Sequence, residues 1–181
     1  MKTRQKILEA SAATFGHRPN ATLDDVAAEA DVSRITVIRH FKTKDDLLLE
    51  TSAYCVESFD TVVAASQDDT IATLERVRQL LLRFAQLGNH YWFLLRATSV
   101  NEAEHESALK AQLNAVEALV KKAQDEGVLR PDLPAGWLAC LIDFYAMAVS
   151  SASERGVVAA RDLESLAWDT FLNGVQSASP S

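Results

Sequence analysis

The chain has 181 residues, of which 48% are hydrophobic, and a formal net charge of −7. This length allows a small domain of about 50 residues and one larger domain with a sizeable core. We find no apolar run long enough to span a bilayer, and the charged N-terminus MKTRQKILEA is not a signal peptide. Cys55 and Cys140 lack metal-ligand spacing and are expected to be free thiols in the cytoplasm.

The charge is unevenly distributed along the chain. Residues 1–50 hold eight Lys/Arg and eight Asp/Glu, so the −7 arises from residues 51–181. A nucleic-acid-binding protein usually carries a basic patch. Basic residues occur here near the start of the chain and between Arg34 and Lys44. We therefore expect a modest positive patch on an otherwise neutral N-terminal domain.

The stretch TLDDVAAEADVSRITVIRHFKTK, residues 22–44, contains two short helical patterns around a tight turn. Thr22 and Asp25 have the spacing of a capping box, which begins the first of these helices. Ser33 caps the second, which is predicted to end near Phe41. A helix, a short turn and a second helix form the arrangement of helix-turn-helix DNA-binding proteins.

The second of these helices has an unusual outer face. At 3.6 residues per turn, Val37 packs inward and Ile35 and Arg39 lie at the centre of the opposite side, with Thr36 and Ile38 beside them. Such a face suits a major groove, where Arg binds guanine O6 and N7 and apolar groups contact thymine methyls. The alternative is a small packed helix whose isoleucines contact another domain.

Residues Ile7 to Glu50 resemble the N-terminal domain of TetR-type, or tetracycline-repressor-like, transcription regulators. The matching segments are ILEASAATF, TLDDVAAEADVS and IRHFKTKDDLLLE. The sequence departs from the family pattern at Asp31 and Ile35, where glycine is common, and at Ile38, where a phosphate-binding tyrosine is usual. The predicted DNA-binding residues are Thr22, Ser33, Arg34, Ile35, Thr36, Ile38, Arg39, His40, Lys42 and Lys44.

Helical periodicity predicts an all-α fold, with a three-helix N-terminal DNA-binding domain and a six-helix C-terminal domain. We assign residues 1–45 to the first domain, 46–175 to the second, and 176–181 to a disordered tail. The helix after the helix-turn-helix links the two domains. Outside the helix-turn-helix, helices are predicted over about residues 3–15, 44–66, 68–88, 90–95, from the Ser99 cap to 127, 135–154 and 162–175.

Bulky side chains recur on five predicted helices of the second domain, and aromatic residues concentrate on two of them. Polar tips of tyrosine and tryptophan need partners when buried, and a ligand could supply them. We therefore predict a largely apolar effector pocket of about 300–1,000 Å³. An ordinary solid core is the alternative. The predicted lining residues are Cys55, Phe59, Phe84, Leu87, Tyr91, Trp92, Leu95, Val116, Phe144 and Tyr145.

The last predicted helix has two apolar stripes, one through Leu166 and Phe171 and another through Trp168. One stripe can face the protein's own core, so the second indicates a twin subunit. Small residues on the preceding helix would allow close contact. The predicted dimer interface consists of Ala148, Ser151, Ala152, Trp168, Leu172 and Val175.

The sequence offers little catalytic chemistry. Glu102, His105 and Glu106 have the spacing of a carboxylate-helix metal site, but no second motif accompanies them, so we predict a solvated helix start. Phosphate-binding glycine loops, HExxH and nucleophile elbows are also missing from the sequence. We predict no metal, no cofactor and no enzymatic activity.

The preferred function is that of a homodimeric transcriptional repressor. Its partners are double-stranded operator DNA, its own second copy and an effector, with no membrane. The resemblance implies that the effector enters the second domain, shifts the fourth helix and releases the DNA. Alternatives are a ligand-dependent activator and a helical interaction module with weakened DNA binding; an enzyme is a third.

Overall fold

The structure of the protein, a computed structural model, describes residues 2–96 and 102–175, with only the backbone of residues 102–105. The described residues form nine α-helices, which confirms the all-α fold. The predicted Ser99 cap, the side chains of Glu102 and His105, and the tail at 176–181 lie outside this description. The helices are α1 (Thr3–His17), α2 (Leu23–Glu29), α3 (Arg34–His40), α4 (Lys44–Ala65), α5 (Thr73–Gln86), α6 (Gly88–Arg96), α7 (Glu102–Asp125), α8 (Ala135–Glu154) and α9 (Ala160–Val175).

The chain divides into two compact units, and the first comprises Met1–Ser58 and Asn89–Ser107. Its core forms because α1, α2 and α3 each bury one apolar face, and α4 and α6 add further side chains. Burial of such side chains stabilises by roughly 1.5–3 kcal/mol each. The largest buried members are Ile7, Leu8, Phe15, Val26, Val37, Phe41, Leu47 and Phe93.

The second unit comprises Phe59–Gly88 and Ala108–Ser181. Within it α5 packs against α8 and α9, and α8 packs against α9. Tyr145 on α8 donates a hydrogen bond to the carbonyl of Ala167 on α9 at 3.1 Å. Its ring lies 5.8 Å from that of Phe171. The polar tip of Tyr145 therefore has a partner inside its own unit.

The start of α5 differs from the prediction. The helix was expected to open at residues 68–70, but it begins at Thr73. Asp68 instead accepts hydrogen bonds from the amide and hydroxyl of Thr70, at 3.0 and 2.7 Å, which closes a local turn. The buried Arg76 donates to the Ser66 carbonyl and to Asp69. These contacts keep the segment between α4 and Thr73 outside α5.

Gly88 was predicted to be the last residue of the helix over residues 68–88, but it is the first residue of α6. A Cβ atom at this position would overlap the Ser150 side chain on α8. Glycine is therefore required for close approach of the two backbones, which is a different role from a C-terminal cap. The preceding helix α5 ends at Gln86, two residues before the predicted end at residue 88.

Helix α8 also corrects an expectation. It spans 20 residues and contains an 18-residue window with a mean hydropathy of 1.4, so among the described helices it is long and apolar enough to cross a membrane. The prediction that the chain has no apolar run long enough to span a bilayer was therefore wrong. Core helices meet the same criterion, and α8 buries Leu138, Ile142, Ala146 and Val149 in its own unit.

Candidate DNA-binding surface

The first helix of the helix-turn-helix is fixed by its predicted capping box. The Thr22 amide donates to Asp25 Oδ2 at 2.8 Å, and the Asp25 amide donates to Thr22 Oγ1 at 3.3 Å. The hydrogen bonds from Thr22, with a contribution from Arg18, hold the pKa of Asp25 below its usual 3.8. Val26 and Ala27 then turn inward. The local sequence therefore determines where α2 begins and which face it buries.

The turn between α2 and α3 is made by Asp31, whose φ is +49°. This left-handed conformation is favoured by glycine and is adopted by aspartate more readily than by most residues. The Val32 amide donates to the Ala27 carbonyl at 3.0 Å and closes the turn. The predicted tight turn is thus formed with an aspartate where the family commonly has glycine.

Helix α3 presents the face that the sequence predicted. Ser33 caps it by accepting a hydrogen bond from the Thr36 amide at 3.2 Å. Val37 is fully buried, which turns the opposite side outward. Ile35 is 64% exposed and Ile38 is 39% exposed. Arg39 is exposed one residue further along, on the same face because residues at i, i+3 and i+4 are neighbours on a helix.

Several basic side chains near this surface are neutralised by carboxylates of the same unit. The pairs join different helices or the loops next to them, so they also hold those segments together. Exposed ion pairs of this kind contribute at most about 1 kcal/mol each. The pairs are Arg4 with Glu50, Lys6 with Asp31 at 3.6 Å, and Arg34 with Asp24 at 3.4 Å.

Lys44 has an internal role that the sequence did not reveal. Its ammonium group donates to the Ala21 carbonyl at 2.8 Å and lies 4.7 Å from the centroid of the Phe15 ring. Arg39 and Lys42, by contrast, are exposed and make no ion pair among the described residues. They are the cations of this surface most available to DNA.

A polar cluster, which we call the Glu9 cluster, connects three helices of the first unit. It consists of Glu9 on α1, Tyr54 on α4 and His90 on α6. Tyr54 donates to Glu9 Oε1 at 2.6 Å, and His90 Nε2 lies 2.8 Å from Glu9 Oε2. The hydrogen bond with His90 lowers the pKa of the Glu9 carboxyl, against an opposing effect of burial and with a smaller contribution from Tyr54. Sequence reasoning missed this cluster because its members lie as many as 81 positions apart.

The predicted effector-binding residues fall into both compact units. The members in the first unit are Cys55, Tyr91, Trp92 and Leu95; those in the second are Phe59, Phe84, Leu87, Val116, Phe144 and Tyr145. Cys55 is buried in the core of the first unit, which raises the pKa of its thiol. In the second unit the rings of Phe59 and Phe84 meet edge to face at 5.3 Å. Phe144 is 62% exposed.

The predicted dimer residues differ in exposure. Ala148 is exposed, and Ser151, Ala152, Trp168 and Leu172 are partly exposed. Val175 turns inward instead and is buried, with its carbonyl accepting a hydrogen bond from the Arg130 amide at 2.9 Å. The inward face of α9 consists of Ala167, Phe171 and Val175, at a spacing of four residues. Leu166, which was predicted to face inward, is half-exposed.

Known proteins resemble the chain in both sequence and fold. Residues 7–51 match the model for bacterial regulatory proteins of the tetR family. The transcriptional regulator NfxB of Pseudomonas aeruginosa is 23% identical over 180 residues, which cover 98% of this chain and 96% of NfxB. The transcriptional repressor LfrR of Mycolicibacterium smegmatis is 28% identical over 137 residues, which cover 75% of this chain and 71% of LfrR.

Solved structures extend the similarity to the whole fold. The ketosteroid transcriptional regulator KstR2 of Mycobacterium tuberculosis superposes with a TM-score of 0.77 at 20% identity, covering 98% of this chain and 96% of KstR2. LfrR from Mycobacterium smegmatis, solved in complex with proflavine, superposes with a TM-score of 0.69 at 20% identity and coverages of 98% and 99%.

The capped helix pair and its exposed cationic face define a helix-turn-helix protein. The family match places that pair within a recognised DNA-binding domain. Residues 7–51 therefore carry the N-terminal domain of the tetR family of bacterial regulatory proteins. The chain as a whole is similar to transcriptional regulators in sequence and in fold.

Proposed function

We propose that the protein is a homodimeric transcriptional repressor that binds operator DNA and is released from it by a small-molecule effector. The proposal rests on the outer face of α3, where Arg39 lies beside two exposed isoleucines and makes no ion pair with any residue that the structure describes. Arginine can bind guanine through two hydrogen bonds, and isoleucine can contact a thymine methyl. Lys42, just beyond the helix, adds a cation for a phosphate.

A homodimer suits this mode of binding. Two recognition helices reach successive major grooves when they lie about 34 Å apart. The exposed and partly exposed residues of α8 and α9 would supply the interface. They include Ala148, Trp168 and Leu172, which the chain's own core leaves accessible. Each copy would then present one α3 to one operator half-site.

The effector is proposed to be small and largely apolar. The aromatic side chains of the predicted lining support an apolar effector, and the proflavine bound to the related LfrR supports a small molecule. Release requires that the effector bind the conformation that does not fit DNA more tightly than the one that does. Helix α4, which follows the helix-turn-helix directly and supplies residues to both units, is the proposed connection.

We propose that this regulator acts in the cytoplasm, without an enzymatic activity and without a membrane partner. DNA binding by the outer face of α3 accounts for the exposure of Ile35 and Ile38. The proposed dimer interface accounts for the partial exposure of Trp168 and Leu172. Neither assignment needs a cofactor.

The first experiment is selection of duplex fragments from a random-sequence pool with the purified full chain. The expected result is a palindromic motif whose half-site centres lie about one helical turn apart. Affinity for the selected duplex should fall steeply with salt, because bound phosphates release counterions. Failure to enrich any motif, with no salt-dependent binding, would contradict the proposal.

The effector is sought next by screening apolar aromatic compounds for release of the selected duplex. Release should be accompanied by a change in tryptophan fluorescence, since the chain has three tryptophans and Trp92 is a predicted lining residue. A reporter gene behind the operator should be silenced by the protein and restored by the compound. Reporter activation by the protein would instead identify an activator.

A further inference from the structure

The outer face of α3 is unusually poor in groups that can form hydrogen bonds with bases. Base edges in the major groove are read either by hydrogen bonds or by apolar contact with the C5 methyl of thymine. The groups that α3 leaves available therefore limit what it can distinguish. What α3 can read in the groove depends on the proposed DNA-binding function.

The two hydroxyl residues at the start of α3 are already committed to the helix cap. Ser33 Oγ accepts a hydrogen bond from the Thr36 amide at 3.2 Å and lies 2.9 Å from Thr36 Oγ1. Breaking this cap to reach a base would cost roughly 1 kcal/mol in stability of the helix. Neither hydroxyl is therefore well placed to specify a base.

Arg34 is similarly engaged. Its guanidinium lies 3.4 Å from Asp24 on the preceding helix, which draws it towards its own domain. The carboxylate would also repel a phosphate brought close to this pair. Arg39 remains as the principal hydrogen-bond donor on the outer face, because it is exposed and unpaired among the described residues.

The remaining surface of that face is aliphatic. Ile35 is 64% exposed and lies one turn before Arg39, and Ile38 is 39% exposed and adjacent to it. Isoleucine has a lower intrinsic helix propensity than alanine or leucine, so Ile35 and Ile38 do not stabilise this helix of seven residues by their propensity. Their exposure is accounted for if a partner covers them, and the adjacent cations Arg39 and Lys42 fit an anionic partner such as DNA.

We propose that Ile35 and Ile38 are specificity-determining residues that read the C5 methyl groups of operator thymines next to a guanine bound by Arg39. Each half-site would then be distinguished by methyl groups as much as by hydrogen-bonding patterns. Uracil presents the same hydrogen-bonding groups as thymine and lacks only the methyl, so it isolates this contact.

The test uses the full chain and the selected operator duplex. Each thymine of one half-site is replaced in turn by deoxyuridine, and the Kd is measured by fluorescence anisotropy at fixed salt. We expect about a fourfold loss of affinity at one or two positions, as for the loss of one buried methyl group. All other thymines should tolerate the replacement.

Protein variants then assign each position to a residue. Ile35→Ala should bind thymine and deoxyuridine duplexes equally at its own position and keep the penalty at the position read by Ile38. Ile38→Ala should show the reverse. Ile35→Val should keep the penalty, which shows that the variant helix still docks. Leu113→Ala, at a comparably exposed leucine of α7, is the matched control and should retain both penalties.

The outcomes separate this inference from the proposed function. Enrichment of an operator that binds deoxyuridine as tightly as thymine everywhere would overturn methyl recognition and leave DNA binding intact. A penalty that persists in both alanine variants would overturn the assignment to these isoleucines. Failure of any duplex to bind would overturn the proposed function, and this inference with it.

Discussion

Among the described residues, α3 and α8 both expose large apolar side chains, and the residues next to them differ. On α3, Ile35 and Ile38 lie next to Arg39 and close to Lys42. On α8, the exposed Trp137 and Phe144 belong to a helix that contains no lysine or arginine. The first surface combines apolar groups with cations that make no ion pair within the described part of the chain, and the second is apolar without cations.

The difference indicates two kinds of partner. An anionic polymer with methyl groups at its groove edge complements the α3 face both electrostatically and sterically. A face without cations gains no such attraction, and a second copy of the chain is the partner that we propose for α8. Exposure alone therefore does not identify a partner; the adjacent charges do.

The largest expected effect comes from placing a charge on the proposed dimer face. Ala148 is exposed on α8, so Ala148→Glu should leave its own unit folded. In a symmetric interface the two carboxylates would be buried without partners, which costs on the order of 3 kcal/mol. Sedimentation equilibrium should show a shift from twice the chain mass to the chain mass, with a rise of roughly a hundredfold in the dimer Kd.

The control for this change is Ala118→Glu, at an exposed alanine of α7. It adds the same charge to the same unit and should remain dimeric. A wild-type chain that sediments as a monomer at tens of micromolar would contradict the dimer itself. Equal dimerisation of Ala148→Glu and wild type would place the interface elsewhere.

A smaller effect is expected on the α3 face. Arg39→Ala should weaken binding of the selected operator by about 1–3 kcal/mol and relax specificity at one base position, because a bidentate contact with guanine is lost. Repeating the selection with the variant measures the relaxed position. Arg161→Ala, at a highly exposed arginine of α9, removes the same charge and should bind like wild type. Wild-type affinity in Arg39→Ala would show that this docking is wrong.

The sequence predicted the helix-turn-helix well because its determinants are local. Thr22 with Asp25 and Ser33 with Thr36 form caps between residues three apart, and the hydrogen bonds occur where the spacing indicated. The family match over residues 7–51 confirms the resemblance that these segments carried. Local spacing also indicated the outer face of α3 from the inward position of Val37.

Contacts between distant residues were not predictable in this way. The Ala21 carbonyl that binds Lys44 lies 23 positions away, and no periodic pattern signals it. The prediction of which face of α9 is buried was wrong for a related reason. Two apolar stripes compete on that helix, and only packing against α5 and α8 decides that Val175 is buried and Leu166 exposed. The effector and dimer assignments therefore remain proposals.

The two lysines at the junction of α3 and α4 differ in whether their ammonium groups are available to bind phosphate. Lys42 is exposed without an ion pair among the described residues, whereas Lys44 binds the Ala21 carbonyl. Lys42→Ala should reduce the slope of log Kd against log salt by about one phosphate contact and leave stability unchanged. Lys44→Ala should weaken all sequences alike but flatten that slope less than Lys42→Ala does, because its ammonium group is already hydrogen-bonded, and it should lower the unfolding free energy by about 1 kcal/mol.

Salt titrations of operator binding and urea denaturation measure the two effects separately. If Lys44→Ala unfolds at the wild-type urea concentration, its internal hydrogen bond contributes nothing. If it also keeps the wild-type salt slope, Lys44 has no part in phosphate binding.

The smallest effect is expected away from both surfaces, at the Glu9 cluster. Glu9→Gln keeps the size of the side chain and removes the charge that Tyr54 and His90 surround. The side chain is 40% exposed, so solvent screening limits the expected loss of unfolding free energy to about 0.5–1 kcal/mol at neutral pH. Operator affinity and dimerisation should remain as in wild type, since Glu9 belongs to neither surface.

The pH dependence of this loss follows from the direction of the Glu9 shift. Contacts within the cluster lower the pKa of the folded carboxyl below its ordinary 4.5, so the unfolded chain takes up the proton first as the pH falls. The stabilisation is therefore fully present above pH 4.5 and disappears as the pH falls through the pKa of the folded state.

Urea denaturation between pH 7 and 3 should show the stabilities of wild type and Glu9→Gln converging at the acid end. Glu29→Gln, at an exposed glutamate of α2, should match wild type throughout. A difference for Glu9→Gln that stays constant to pH 3 would show that its charge does not produce the stabilisation.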